Sequence, residues 1–120
     1  MKDLIPAIGY VRVNNPRAFT ESERQRNSIN TWATRTGHLM VGWVEDIWVP
    51  GTGGNEAGLE ELLDRVRSGE ASVIAVEEIH RVSRKVVTVK GWLARLAEAG
   101  GRCESTGPAE KRRRTEEQEK

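Results

Sequence analysis

Apolar positions along the chain follow two rhythms. Ala7-Ile8-Gly9-Tyr10-Val11-Arg12-Val13-Asn14 is an apolar, β-branched run that stops at Asn14-Asn15-Pro16, and Ser72-Val73-Ile74-Ala75-Val76-Glu77 is a shorter continuous one. Both predict buried strands, because branched side chains suit a pleated, packed surface and Asn and Pro supply turn chemistry. His38 to Asp46 predicts another strand, with Met40-Val41, Trp43-Val44 and Ile47-Trp48 supplying apolar mass. Between these runs the spacing becomes helical. Ile29, Trp32 and Ala33 predict a helix over about Glu21 to Thr36, closed by Gly37. Leu59, Leu62, Leu63 and Val66 form a stripe that predicts a helix over Gly58 to Ser68. Trp92-Leu93, Leu96 and Ala97 predict a third, ending at Ala99-Gly100. Strands alternating with helices predict an α/β fold, a three-layer sandwich with a mostly parallel central sheet.

Arg12 interrupts the apolar character of the first strand, and a period of 2 puts Tyr10, Arg12 and Asn14 on one face. A guanidinium at the carboxyl end of a buried strand is costly to desolvate unless an anion or carboxylate meets it. The carboxyl ends of parallel strands are also where open α/β sheets place their sites. Pro50-Gly51-Thr52-Gly53-Gly54-Asn55 reads as a flexible loop. No Lys-Ser/Thr follows its glycines and no G-x-G-x-x-G opens the next helix, so it does not read as a nucleotide cradle.

Composition narrows the class. A chain of 120 residues is one domain by size. A hydrophobic fraction of 37% beside a charged fraction of 31% suits a compact core with a polar terminal extension. No apolar run approaches the ~20 residues of a membrane span, and Met1-Lys2-Asp3-Leu4 does not open a signal peptide, so a cytoplasmic location without membrane contact is expected. Cys103 is the only cysteine, which leaves no intrachain disulfide and no cysteine-cluster metal site; neither metal nor cofactor is expected. The net charge of +1 conceals a cationic cluster, Lys111-Arg112-Arg113-Arg114, followed by the acidic Glu116-Glu117-Gln118-Glu119. The cluster reads either as a nucleic-acid contact or as a solvated tail whose neighbouring acids offset it.

Tyr10-Val11-Arg12-Val13, ending a first strand, resembles the opening of the catalytic domain of resolvase/invertase-type serine recombinases, where Tyr-x-Arg-Val is followed at once by serine. Ser22-Glu23-Arg24-Gln25-Arg26, with Ile29, Trp32-Ala33 and Gly37, is similar to that family's first helix. Glu56-Ala57-Gly58-Leu59 resembles its Arg-x-Gly-Leu helix start, and Ile79-His80-Arg81-Val82-Ser83-Arg84 its Leu-Asp-Arg-Leu-x-Arg. The resemblance implies a resolvase-like domain over residues 1–105 and a charged disordered tail over 106–120. It makes Arg12, Gln25, Arg81 and Arg84 the candidates for binding DNA phosphate. It also marks three departures. Asn14 stands where the family's serine attacks the phosphodiester, Glu56 where an arginine contacts the reacting phosphate, and His80 where an aspartate lies beside the two arginines.

Transesterification of a phosphodiester needs an oxygen nucleophile and cations that neutralise the developing charge. Arg12, Arg81 and Arg84 could supply cations, but an asparagine amide has no proton to give up and cannot form the DNA link. An acid at position 56 would oppose a phosphate ~5 Å away by about 3 kcal/mol at an effective dielectric near 20. The expected function is therefore a degenerate, non-cleaving domain of a mobile-element or DNA-recombination system with an accessory or regulatory role. Its expected partners are DNA, bound weakly and non-specifically, and an active recombinase or another copy of itself. The family's long dimer helix and helix-turn-helix module have no counterpart in these residues, so binding should be salt-sensitive, with a slope of about −0.9 per phosphate contact. Two alternatives stay open. One is an active recombinase or nicking enzyme using another nucleophile, for which Ser22, Ser28 and Ser83 are available, though capping and solvation explain them better. The other is a protein-interaction scaffold or truncated remnant whose arginines pair internally with acids such as Asp46, Glu77 or Glu78.

Overall fold

The computed structural model describes residues 3–14, 18–47 and 54–107. Along the chain lie β1 (Ile5–Val13), α1 (Ala18–Thr36), β2 (His38–Ile47), α2 (Glu56–Arg67), β3 (Val73–Val76), a 3-10 turn (Ile79–Arg81), α3 (Val86–Glu98) and β4 (Arg102–Ser105). The four strands are all parallel and ordered β2-β1-β3-β4. The fold is α/β and resolvase-like, a sheet between one helix on one face and two on the other.

Alternation along β1 creates the two cores. Ala7, Val11 and Val13 pack with Ile29, Trp32 and Ala33 of α1, and Trp43 of β2 lies partly buried against them. Ile8 and Tyr10 face the opposite way, onto Leu59, Leu62, Leu63 and Val66 of α2 and Trp92 and Leu96 of α3. Leu62 and Leu63 are fully enclosed, and burying each contributes about 1.5–3 kcal/mol. Gly9 is required where it is, since the ring of Trp43 occupies the space a Cβ would take. That is a packing role for Trp43.

Element ends differ from the sequence expectation by a few residues. Helix α1 begins at Ala18 and α2 at Glu56, so both reach further towards the amino terminus than Glu21 and Gly58. In α3, Ala97 is exposed, and Val89 and Ala99 supply the extra packing. Strand β4 was not expected, because Arg-Cys-Glu-Ser carries no apolar run; pairing to β3 makes it a strand. Thr106 and Gly107, assigned to the tail from sequence, are buried, and their N–H groups reach Val76 O at 2.7 Å and Glu77 O at 2.9 Å. The remainder of the expected tail with its basic cluster, Trp48, and the loop glycines 51 and 53 lie outside the described residues. No described helix is long and apolar enough to cross a membrane.

The strand order positions a crevice. From β1 the chain crosses to β2 on one side, and from β3 to β4 on the other, so it leaves the carboxyl ends of these adjacent strands in opposite directions. Such a divergence is where open parallel sheets hold ligands.

Candidate nucleic-acid interface

The crevice is an open concavity lined by Arg12 and Asn14 at the end of β1, and by Glu78, His80, Arg81 and Arg84 after β3. Residues separated by about 70 positions meet there because β1 and β3 are neighbours. Arg12 and Arg81 are interlocked. Arg12 Nη1 donates to Arg81 O at 3.3 Å and Val82 O at 3.4 Å, while Arg81 Nη1 donates to Arg12 O at 3.4 Å. Arg12 is only 3% exposed, so it offers charge more than reach. Arg84 is exposed, and among the described residues it has no carboxylate partner.

Gln25, expected among the phosphate ligands, has a different place. It is fully buried on α1; its Nε2 donates to Arg12 O at 3.0 Å, and its Oε1 accepts the Arg12 N–H at 3.3 Å. The amide also bonds the Glu21 side chain and helps to lower that carboxyl. Gln25 therefore positions Arg12 and does not touch the concavity. Glu56, at the family's arginine position, also lies elsewhere. It is the exposed first residue of α2, its Oε1 accepts the Gly54 N–H at 3.3 Å, and it does not line the concavity. The carboxylate that does line the concavity is Glu78. His80 is exposed at the rim, with Nδ1 4.0 Å from Glu78 Oε1.

A charged network backs the concavity; the sequence reading offered Glu77 as a partner for the arginines but not Arg24 or Glu21. Arg24 of α1 holds both oxygens of Glu77 at the end of β3 and also pairs with Glu21 one turn earlier. Arg81 Nη2 lies 3.4 Å from Glu21 Oε1 and 3.6 Å from Glu77 Oε1. Hydrogen bonding to Arg24, with Arg81 nearby, lowers the Glu21 carboxyl below its ordinary range; bonds to Glu21 and Glu77 raise the Arg24 guanidinium. The spacing of Glu21 and Arg24, three apart on a helix, was the available signal. A second network ties the scaffold together: Tyr10 Oη accepts from Asn55 Nδ2 at 2.9 Å, and Asn55 also donates to Val82 O at 2.9 Å. Asn55 precedes α2 yet makes no side-chain cap, its amide being engaged by β1 and the segment after β3.

Of the alternative nucleophiles, Ser28 does not line the concavity, and Ser22 and Ser83 are hydrogen-bonded elsewhere. Ser22 Oγ donates to Phe19 O at 3.1 Å, and Ser83 Oγ accepts the Lys85 N–H at 3.0 Å. Both serines are buried, and neither lines the concavity. Burial pushes the Cys103 thiol up to about 12, which leaves little thiolate for chemistry.

The family model described as "Resolvase, N terminal domain" matches residues 7–117. The chain belongs to the resolvase N-terminal domain family. Solved structures share the fold. The C-terminal catalytic domain of ISC1926 TnpA, an IS607-like serine recombinase, is 24% identical with a TM-score of 0.76, covering 88% of this chain and 70% of that one. The corresponding domain of IS1535 TnpA is 26% identical with a TM-score of 0.64, over 85% and 71%. The N-terminal catalytic domain of TP901-1 integrase, at 15% identity, has a TM-score of 0.75 over 84% and 77%. A search of curated proteins finds no match. This chain is thus a resolvase-like serine-recombinase domain of the kind found in mobile-element recombinases. Within that resolvase fold, the crevice between β1 and β3 brings together Arg12, Arg81 and Arg84, with Asn14 beside them.

Proposed function

We propose that this resolvase domain holds DNA phosphate without cutting it, and acts as an accessory or regulatory component on mobile-element DNA, alone, with a second copy, or with an active recombinase. The observation that carries the reading is the shared concavity of Arg12, Arg81 and Arg84 with an asparagine at its edge. Guanidinium groups suit phosphate because their planar N–H pairs match its oxygens and they stay charged. Cleavage needs a hydroxyl or thiolate in line with the leaving oxygen, and none of the described residues lining the concavity carries one. Loss of a serine nucleophile costs about a million-fold in turnover in a well-studied hydrolase, leaving what positioning alone supplies.

A second reading is supported by the ion pairs of Arg81 with Glu21 and Glu77: an interaction scaffold whose arginines are structural. Fluorescence anisotropy on labelled duplex DNA at low salt separates the two. The phosphate reading expects binding that weakens in Arg84→Ala; the scaffold reading expects no binding, or binding that Arg84→Ala leaves unchanged.

A further inference from the structure

The arginine concavity carries its own anion. Arg81 Nη2 faces two carboxylates, Glu21 at 3.4 Å and Glu77 at 3.6 Å, and these acids are not equivalent. Glu77 is 4% exposed, with Arg24 on both oxygens and its main-chain O receiving Ser105 Oγ and the Gly107 N–H. It is part of the framework. Glu21 stands on the first turn of α1 with a side chain 27% exposed, able to swing into water and keep its neighbour Arg24 as a partner. Both contacts to Arg81 are longer than the ~2.7–2.9 Å of a well-made charge-assisted bond. The Arg81 Nε, moreover, is buried with no hydrogen-bond partner among the described residues. The Arg81 guanidinium is therefore held by Glu21 but not saturated by it.

We propose that Glu21 is a built-in competitor for the phosphate: its carboxylate occupies Arg81 while the crevice is empty and must release it when a phosphate oxygen of DNA arrives. This rests on the phosphate reading above and adds to it the residue that sets how weak the binding is. A phosphate offers several oxygens, which can satisfy Arg81 and the exposed Arg84 together, whereas Glu21 Oε1 is shared between Arg81 and Arg24 and does not pair with Arg84. A carboxylate left beside the bound phosphate repels it, so removing that charge strengthens binding.

The test is anisotropy on labelled duplex DNA at fixed low salt with the full chain, comparing wild type, Glu21→Gln, Arg84→Ala, Arg81→Ala with and without Glu21→Gln, and Glu98→Gln at the far end of α3 as a control for net charge. Glu21→Gln is expected to bind about tenfold more tightly, the scale of one partly screened charge contact. Glu98→Gln should change little, and the gain should vanish when Arg81 is also replaced. Should Glu21→Gln not fold, Glu21→Asp, which withdraws the carboxylate from Arg81, is expected to give a smaller gain in the same assay. Wild-type binding that Arg84→Ala weakens but Glu21→Gln does not improve beyond the control overturns this inference alone, as does a gain that survives loss of Arg81. Absence of binding in both wild type and Glu21→Gln overturns the phosphate reading with it.

Discussion

The phenol of Tyr10 donates a 2.6 Å hydrogen bond to Asp46 Oδ2 across the neighbouring strands β1 and β2. Burial, and secondarily that bond, raise the Tyr10 hydroxyl well above its ordinary range, so it stays a donor. The same carboxylate packs on the Cα of Gly58, where a Cβ would collide with it. Asp46 thus limits how α2 approaches the sheet, and Tyr10, through Asn55, ties that helix to Val82 beside the arginines.

Tyr10→Phe is expected to destabilise the fold by about 1–3 kcal/mol, because Asp46 and Asn55 each lose a partner in a site water enters poorly. Urea unfolding measures it; a midpoint equal to that of wild type would show that water replaces the phenol at no cost.

Gln25→Leu separates a positioning role from a ligand role. The substitution leaves the Arg12 N–H without its side-chain partner and Arg12 O with only the Arg81 donor, with an expected stability loss of about 1–3 kcal/mol for the orphaned N–H. The salt slope of DNA binding should stay that of wild type. Arg84→Ala should do the reverse, leaving the urea midpoint in place and reducing the slope by about 0.9.

Supercoiled DNA incubated with the wild-type chain is expected to give no covalent protein–DNA adduct on a denaturing gel, since Asn14 offers no attacking oxygen and Ser22 and Ser83 are bonded away from the crevice. An adduct that disappears on replacing one serine would identify another nucleophile and reverse the conclusion.

His38 gives the fold a pH dependence of definite sign. It stacks on Trp32 with ring centroids 4.2 Å apart, and its Nε2 is buried without a hydrogen-bond partner among the described residues. Burial, with Arg102 adding to it, lowers its pKa below the ordinary 6.5. The unfolded chain therefore takes up the proton first as pH falls, and stability is lost from about 6.5 downward until the folded state also protonates. His38→Phe keeps the stacked ring and removes the titration. Between pH 7.5 and 5.5 its urea midpoint should fall less than that of wild type, and an equal fall would contradict the assignment.

Much of the scaffold was legible because burial leaves a local trace. The alternation of Ile8 and Tyr10 against Ala7, Val11 and Val13, and the Leu59-Leu62-Leu63-Val66 stripe, follow from strand and helix periods that any window of the sequence contains. Strand β4 left no such trace. Its residues are half buried, and their strand character comes from the parallel ladder to β3.

The chain by itself determined the α/β class, the two-sided core, the absence of a hydroxyl at position 14 and the arginines that would meet an anion, since these depend on residue type and spacing within one segment. The tertiary structure alone decided what those groups do to one another. It buried Gln25 beneath Arg12, kept Glu56 off the concavity, put Glu78 in its lining, and drew Glu21 and Glu77 onto Arg81. Electrostatic and hydrogen-bonding partners are chosen by distance in space, and the pairing of β1 with β3 sets those distances across some seventy residues of chain.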